Sequence, residues 1–412
     1  MRAIALDVHQ SFCEVAQSEG GRASTMGRVE TSREQLELFA RSLAESDRVV
    51  LEATGPAFEI ARILDPHVAE VIVVNAAEVR AISHAKVKSD RFDARTLARL
   101  LEAGMLDSVW VPSAEIGGLR RRIARRASLV RQRTRAKNEV HAALARSLLG
   151  RSPASDLFAA AGRRWLAEQE LADEEAETVA GCLRQIDFLD SEIEAIDRML
   201  AHWATGSAEV KRLITIPGVG LHGAVALVAA IGEIARFQTP RQLVGYLGLD
   251  PTVRQSGDQP ARHGRISKRG NAQARSVLVE AAWMAIRTPG PLRAFGERIR
   301  ARRGSQVAAV AVARKIATIA WQLLAKEQDY AFGRPSLVRK KLRDAERLTG
   351  APRLGTRHRG RRISATPAER AAEGEFLERA EAGYRRLTAD WSASRPQNQH
   401  KAGAGATPGR AS

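Results

Sequence analysis

Eight apolar residues between Val179 and Trp203 recur at spacings of 3, 4, 3, 4, 3, 4 and 3: Val179, Cys182, Ile186, Leu189, Ile193, Ile196, Leu200 and Trp203. This is the a/d seam of a coiled coil, so the stretch is a long helix whose apolar stripe needs another helix along its length. Two arrangements satisfy it: a second copy of the chain pairs with it, or the preceding helix folds back as an intramolecular hairpin. Cys182 fits the seam as a small apolar residue.

That preceding segment, Ser113 to Leu149, is also helical in pattern and unusually basic. Within it Arg120, Arg121, Arg122, Arg125, Arg126, Arg131, Arg133, Arg135 and Lys137 occupy nearly the whole circumference, which a single amphipathic surface does not require. A solvated charge face is the plain alternative. Almost no acid adjoins the run, which favours phosphate contact through the planar guanidinium fork. The whole chain carries a formal charge of +18 with a pI near 10.9, pointing to a polyanionic partner. Residues 1–110, by contrast, carry slightly more acid than base.

The acidic block alternates strands with helices. Residues 2–9 and Val71 to Val74 read as buried strands, Phe12 to Ala16 as a hairpin partner of the first, and Val49 to Glu52 as a strand ending at Thr54-Gly55-Pro56. Such alternation predicts an α/β sheet covered on both faces. Asp7 and Glu52 fall at strand ends, where a carboxylate must be solvated, paired or bound to metal. In Lys86-Val-Lys-Ser-Asp-Arg-Phe-Asp-Ala-Arg95, Asp90 and Asp93 open a helix and share one face of its first turn. Taken alone, that pair reads as acid complementing the helix dipole behind a Ser89 cap. Four carboxylates that one sheet edge can gather favour a site for Mg²⁺ or Mn²⁺.

With Asp7 in Ala-Leu-Asp-Val-His, Glu52 in Leu-Glu-Ala-Thr-Gly, and Asp90 and Asp93 in Lys-Ser-Asp-Arg-Phe-Asp-Ala, the block resembles the RuvC-like nucleases of RNase H fold. An actin-like phosphotransferase also begins with an Asp-bearing strand, but the Gly-rich hairpin expected after it is replaced here by Val8-His9-Gln10-Ser11.

Further along, two helical segments flank Pro217-Gly218-Val219-Gly220 within residues 209–231, resembling a helix-hairpin-helix in which Gly218 and Gly220 let the backbone approach a phosphate. Thr239-Pro240 starts another helix. Gly248 to Asn271 then reads as a long loop without periodicity, carrying Arg254, Arg262, Arg265, Lys268 and Arg269, a set suited to surrounding a phosphate. Asn271 caps a following helix, and Gln306 to Leu324 forms another.

Gln255-Ser256-Gly257, preceded by Tyr246-Leu-Gly-Leu-Asp-Pro and followed by Arg265-Ile-Ser-Lys-Arg-Gly-Asn, resembles the signature of insertion-sequence transposases and Piv-like DNA invertases. These combine a RuvC-like domain, a coiled coil and a serine-bearing C-terminal domain. The resemblance spans about residues 2–330. It implies that Asp7, Glu52, Asp90 and Asp93 hold Mg²⁺, that Ser256 attacks the scissile phosphate, that DNA is the substrate, and that a bridge RNA guides the reaction in a dimer or tetramer. A serine hydroxyl needs a metal or base to activate it; Lys268 and Arg269 are candidates for holding phosphate charge. A water-using junction nuclease and a non-catalytic nucleic-acid scaffold are the competing readings.

The expected architecture is an RNase H-like α/β domain over residues 1–110, a basic helix and coiled coil over 111–206, a mostly α serine domain containing the helix-hairpin-helix over 207–332, and a basic tail over 333–412. One tail helix is predicted from Pro367 to Leu387, with disorder over 390–412. Cys13 and Cys182 have no metal-ligand spacing. Asp7 comes too early for a signal-peptide core, and no apolar run reads as membrane-length. The expectation is a cytoplasmic, nucleoid-associated protein.

Overall fold

A computed structural model describes residues 1–77, 79, 90–257, 259–351, 357–358, 361–362 and 364–393. The chain divides into two compact units, residues 1–115 and 116–412.

In the first unit, β1 (Ala3–Val8), β2 (Phe12–Glu19) and β3 (Arg22–Glu30) form an antiparallel meander; α1 (Arg33–Ser42) leads to β4 (Arg48–Glu52), and α2 (Ala57–Leu64) to β5 (Glu70–Val74). The sheet order is β3-β2-β1-β4-β5, with β1, β4 and β5 parallel. Strand periodicity divides the side chains between two faces. Ile4, Leu6, Val49, Leu51 and Val73 pack with Leu36, Ile60 and Leu64 of α1 and α2. Ala3, Ala5, Val50, Ile72 and Val74 pack instead with Leu97, Ala98 and Leu101 of α3 (Asp90–Glu102). At the far end of α3, Glu102 accepts hydrogen bonds from Ser18 Oγ (2.5 Å) and Gly21 N (3.1 Å), fixing the helix across β2.

The second unit starts with α4 (Ala114–Arg146), which reaches back into the first by two residues, followed by α5 (Ala160–Ala167) and α6 (Asp173–Gly206). The seam of α6 is buried from Val179 to Leu200, covered by Leu119, Ile123 and Leu129 at one end of α4 and by Ala136, Val140 and Ala143 at the other. Arg126 bonds Asp197, Arg133 bonds Asp190 and Arg146 bonds Glu175. As one member of each pair advances along the chain the other retreats, so the two helices run antiparallel. Of the two arrangements open to the seam, the structure shows the intramolecular hairpin.

The hairpin's end merges with a core built by α7 (Ala208–Leu213), the almost wholly buried α8 (Leu221–Ile231), α9 (Pro240–Tyr246), α10 (Ala272–Arg287) and α11 (Pro291–Ala325). Thr239 and Gln242 form a capping box at α9, and Asn271 accepts from the Gln273 and Ala274 amides at α10. By length and composition α11 could cross a membrane, contrary to the expectation that no run is long enough. Its apolar residues, among them Val312, Ile316 and Leu323, lie in the protein core.

The segment expected to be an unstructured loop contains a two-stranded ribbon, β6 (Pro251–Arg254) against β7 (Arg262–Ile266). Thr252 to Arg254 are all exposed, so no buried face imposes the alternation by which strands are recognised. The ribbon's base is laced tightly. Ser267 donates to Asp250 through both Oγ (2.6 Å) and N (2.8 Å). Gly270, at φ +90°, approaches so close that a Cβ would lie 2.0 Å from the Tyr246 carbonyl oxygen.

Among the described residues beyond 333 are two helices, α12 (Pro335–Leu348) and α13 (Pro367–Ala393), and a short ribbon of β8 (Arg357–His358) and β9 (Arg361–Arg362). Only the second helix was expected. Basic residues mask the apolar side of α12, where Val338, Leu342 and Ala345 meet the core. Lys341 completes that side by donating to the carbonyls of Ile214 (2.8 Å) and Val219 (2.7 Å). The predicted Ser89 cap and most of the proposed disordered end, 394–412, lie outside the described residues.

Candidate active site

The α3 face of the first unit gathers acid at one end. Asp7 has the strand parity of Ala3 and Ala5, and Glu52 that of Val50, so both project towards the side that α3 covers. Leu6 is paired with Leu51, which puts Asp7 and Glu52 at adjacent ends of parallel strands. Asp90, Asp93, Ala94 and Leu97 lie along the sheet-facing side of α3 at helical spacing. The first turn of the helix thus sits over the strand ends.

At the centre stands His9, which the sequence reading did not select. Its Nε2 lies 3.4 Å from Asp7 Oδ2 and 3.4 Å from Asp90 Oδ2, and one ligand atom from each of the three residues falls within 4.8 Å of the others. The alternation Asp7-Val8-His9 places acid and imidazole on one strand face, a signal that was present in sequence. His9 is held by its own amide, which donates to Phe12 O (2.9 Å), by Thr31 Oγ1 donating to its carbonyl (3.1 Å), and by the Phe12 ring at 4.8 Å.

Burial raises the Asp7 carboxyl above its ordinary value. The Asp90 and Asp93 charges push the same way, and His9 opposes them. A hard divalent cation would relieve this crowding, and the oxygen-rich donor set with one imidazole suits Mg²⁺ or Mn²⁺. Glu14 is a second residue sequence reading passed over. It pairs in register with Asp7, is 1% exposed, and accepts from Arg28 Nε at 2.7 Å. Cross-strand partners share a face, so this buried carboxylate, paired with the largely exposed Arg28, forms the wall beside Asp7.

Ser256 belongs to the second unit, in the exposed turn between β6 and β7. Its carbonyl accepts from the Gln259 amide at 3.2 Å, and Gly257 takes φ +52°. Arg254 and Arg262 are register partners beside this turn. Like charges directly opposed destabilise a ribbon, so the pair suits an anion more than it suits the strands. Lys268 and Arg269 sit at the ribbon's base, Lys268 N donating to Gly248 O (3.2 Å). The ribbon's strands, of four and five residues and roughly 15 Å long, separate that level from the serine's turn. Arg265 is exposed on β7.

The basic helix resolves into two groups. Arg120 donates to the carbonyls of Ala229 (2.7 Å) and Ala230 (2.9 Å) at the end of α8. Arg126 and Arg133 bond Asp197 and Asp190, and Arg125 lies 4.0 Å from Glu192. The balancing acid, absent locally, therefore comes from α6. Arg121, Arg122 and Arg131 are exposed. In the Pro217–Gly220 turn, Gly218 has φ +88°, and a Cβ there would lie 2.1 Å from the Ala281 carbonyl oxygen. Its freedom serves contact with α10. Gly220 is the exposed residue before α8.

Residues 4–148 match the profile of a DEDD transposase domain of the IS110 type, and residues 210–297 that of the transposase IS116/IS110/IS902 family. A putative transposase, y4qE, of Sinorhizobium fredii is 32% identical over 288 residues, covering 68% of this chain and 70% of the relative. A probable family 20 transposase of Pseudomonas aeruginosa is 31% identical over 74% of this chain and 92% of its own length. A pilin gene-inverting protein of Moraxella lacunata is 23% identical over 68% and 81%. With its carboxylates arranged over a five-stranded sheet and both domain profiles matched in order, the chain belongs to the IS110/IS116/IS902 family of insertion-sequence DNA transposases.

Proposed function

We propose that this transposase cuts and rejoins DNA by serine transesterification, with Asp7, Glu52, Asp90 and Asp93 holding Mg²⁺ in an RNase H-like domain. The convergence of Asp7, His9 and Asp90 within 4.8 Å is the observation that carries the metal reading. Bound there, the cation would supply Lewis-acid stabilisation of phosphate charge and lower the pKa of a coordinated hydroxyl. Ser256 Oγ gives up its proton and bonds to phosphorus as one phosphoester bond breaks, and the departing strand oxygen takes up a proton to become a hydroxyl. Bond energy is kept in the phosphoserine link for rejoining. Arg254 and Arg262 stabilise the charge on the attacked phosphate from either side of the turn, a role better supported at those positions than at Lys268 and Arg269.

Arg121, Arg122 and Arg131 on α4, together with Gly220, Arg265, Lys268 and Arg269, provide backbone contacts to DNA and to a guiding bridge RNA. Arg120, Arg126 and Arg133 set the shape of that surface through their protein partners. Strand exchange involves at least two DNA ends, so two or four copies act together, near the bacterial nucleoid. Because α4 covers the α6 seam, their interface uses other surfaces. End-labelled substrate DNA and a denaturing gel test the chemistry: a protein-linked product that disappears in Ser256→Ala supports the serine, whereas free ends without an adduct indicate a water-using nuclease.

A further inference from the structure

The tail beyond residue 333 lies outside both matched domain profiles, yet it builds a cationic channel. With Lys341 and Ala345 turned to the core, Ser336, Lys340, Arg343 and Arg347 form a stripe on another side of α12, at i, i+4, i+7 and i+11. These four residues line a cleft of about 530 Å³ together with Arg334, which precedes α12, Arg370 of α13, and the acidic Asp344 and Glu346. The stripe extends roughly 16 Å at 1.5 Å per residue, too long for one small anion to span.

Arg347 also lines a second cleft, of about 780 Å³, whose walls include Arg122 of α4 and Arg198 and His202 of α6. The two clefts therefore meet at one arginine and make a single track from the tail to the exposed arginines of the basic helix. Lys340 and Arg343 have no carboxylate partner among the described residues. Arg347 pairs with Asp344 at 3.7 Å and Arg198 with Glu194 at 3.0 Å, within their own helices and with both partners exposed. Pairs of that kind contribute little, so a phosphate can displace the carboxylates.

We infer that this track binds the phosphodiester backbone of a nucleic-acid strand, with α12 extending the α4 surface. The inference rests on the chain's being a nucleic-acid-handling transposase, but not on the serine or the metal. Binding is measured by fluorescence anisotropy over a range of salt concentrations, using a labelled single-stranded RNA and a labelled DNA duplex of about 20 nucleotides each. The triple variant Lys340→Ala, Arg343→Ala, Arg347→Ala should weaken at least one ligand about 10- to 100-fold and flatten its log K against log salt slope by roughly 2, since each lost contact removes about 0.7 to 0.9. Loss confined to RNA or to DNA identifies which strand occupies the track. Unchanged affinity and slope for both overturns the proposal. If the triple variant is unfolded by circular dichroism, the pair Arg122→Gln, Arg198→Gln in the second cleft is judged by the same criterion. The measurement reads binding without cleavage, so a failed serine mechanism leaves this result intact.

Discussion

His9 Nε2 stands 3.4 Å from Asp90 Oδ2, joining the turn after β1 to the first turn of α3. The contact ties together two segments more than 80 residues apart at the point where Asp7 also arrives. It makes His9 a member of the site.

Titration with Mn²⁺, followed by electron paramagnetic resonance, should show Asp7→Asn and Asp90→Asn weakening the ion at least about tenfold, and His9→Ala weakening it to a smaller degree. Thermal stability of the Asn variants should hold or rise without metal, because each removes a charge from a crowded carboxylate group. Unaltered Mn²⁺ affinity in all three would place the ion elsewhere.

The Arg126–Asp197 fork links α4 to α6 with both side chains about three-quarters buried. Arg126→Ala should cost about 1 to 3 kcal/mol, as it leaves Asp197 partly desolvated. Urea unfolding of Arg126→Ala, Asp197→Ala and the double variant measures the coupling. A coupling near zero would show that the apolar seam alone sets the hairpin.

Gly218→Ala should be strongly destabilising, by about 3 kcal/mol or more, since it adds both positive-φ strain and a 2.1 Å approach to the Ala281 carbonyl oxygen. Gly220→Ala, where a Cβ meets nothing within 4 Å, should be tolerated by the fold. Thermal unfolding separates them, and any loss of DNA affinity in Gly220→Ala then reports on binding alone.

Burial drives the His222 imidazole down to about 4, with the Arg126 cation acting in the same direction and Asp197 against it. The unfolded imidazole takes up its proton near pH 6.5, so it binds protons that the folded one refuses. The stability associated with neutral His222 is present above pH 6.5 and lost as pH falls towards 4, on the order of 3 kcal/mol in all. His222→Gln should flatten the stability profile across that window. Parallel profiles for the two proteins would assign the acid sensitivity to other groups.

Much of the first unit is legible in the sequence, because its strands are apolar runs and its carboxylates interrupt them where burial would be costly. His9 is hard to pick out, since its one signal is the alternation Asp7-Val8-His9, which runs a single residue past the end of β1. The partners of Arg126 and Arg133 are hidden for a different reason: Asp197 and Asp190 lie nearly 60 or more residues downstream, and only the antiparallel fold opposes them. The β6–β7 ribbon lacks a buried face, and the apolar side of α12 is obscured by Lys341, whose buried ammonium bonds two carbonyls.

The serine assignment is most directly examined with DNA carrying a radioactive phosphate at the cleavage position, incubated with the protein and Mg²⁺ and resolved under denaturing conditions. Label is expected on the protein, recovered as phosphoserine in the peptide containing Ser256, and absent from Ser256→Ala. Label still joined to protein in Ser256→Ala would contradict it.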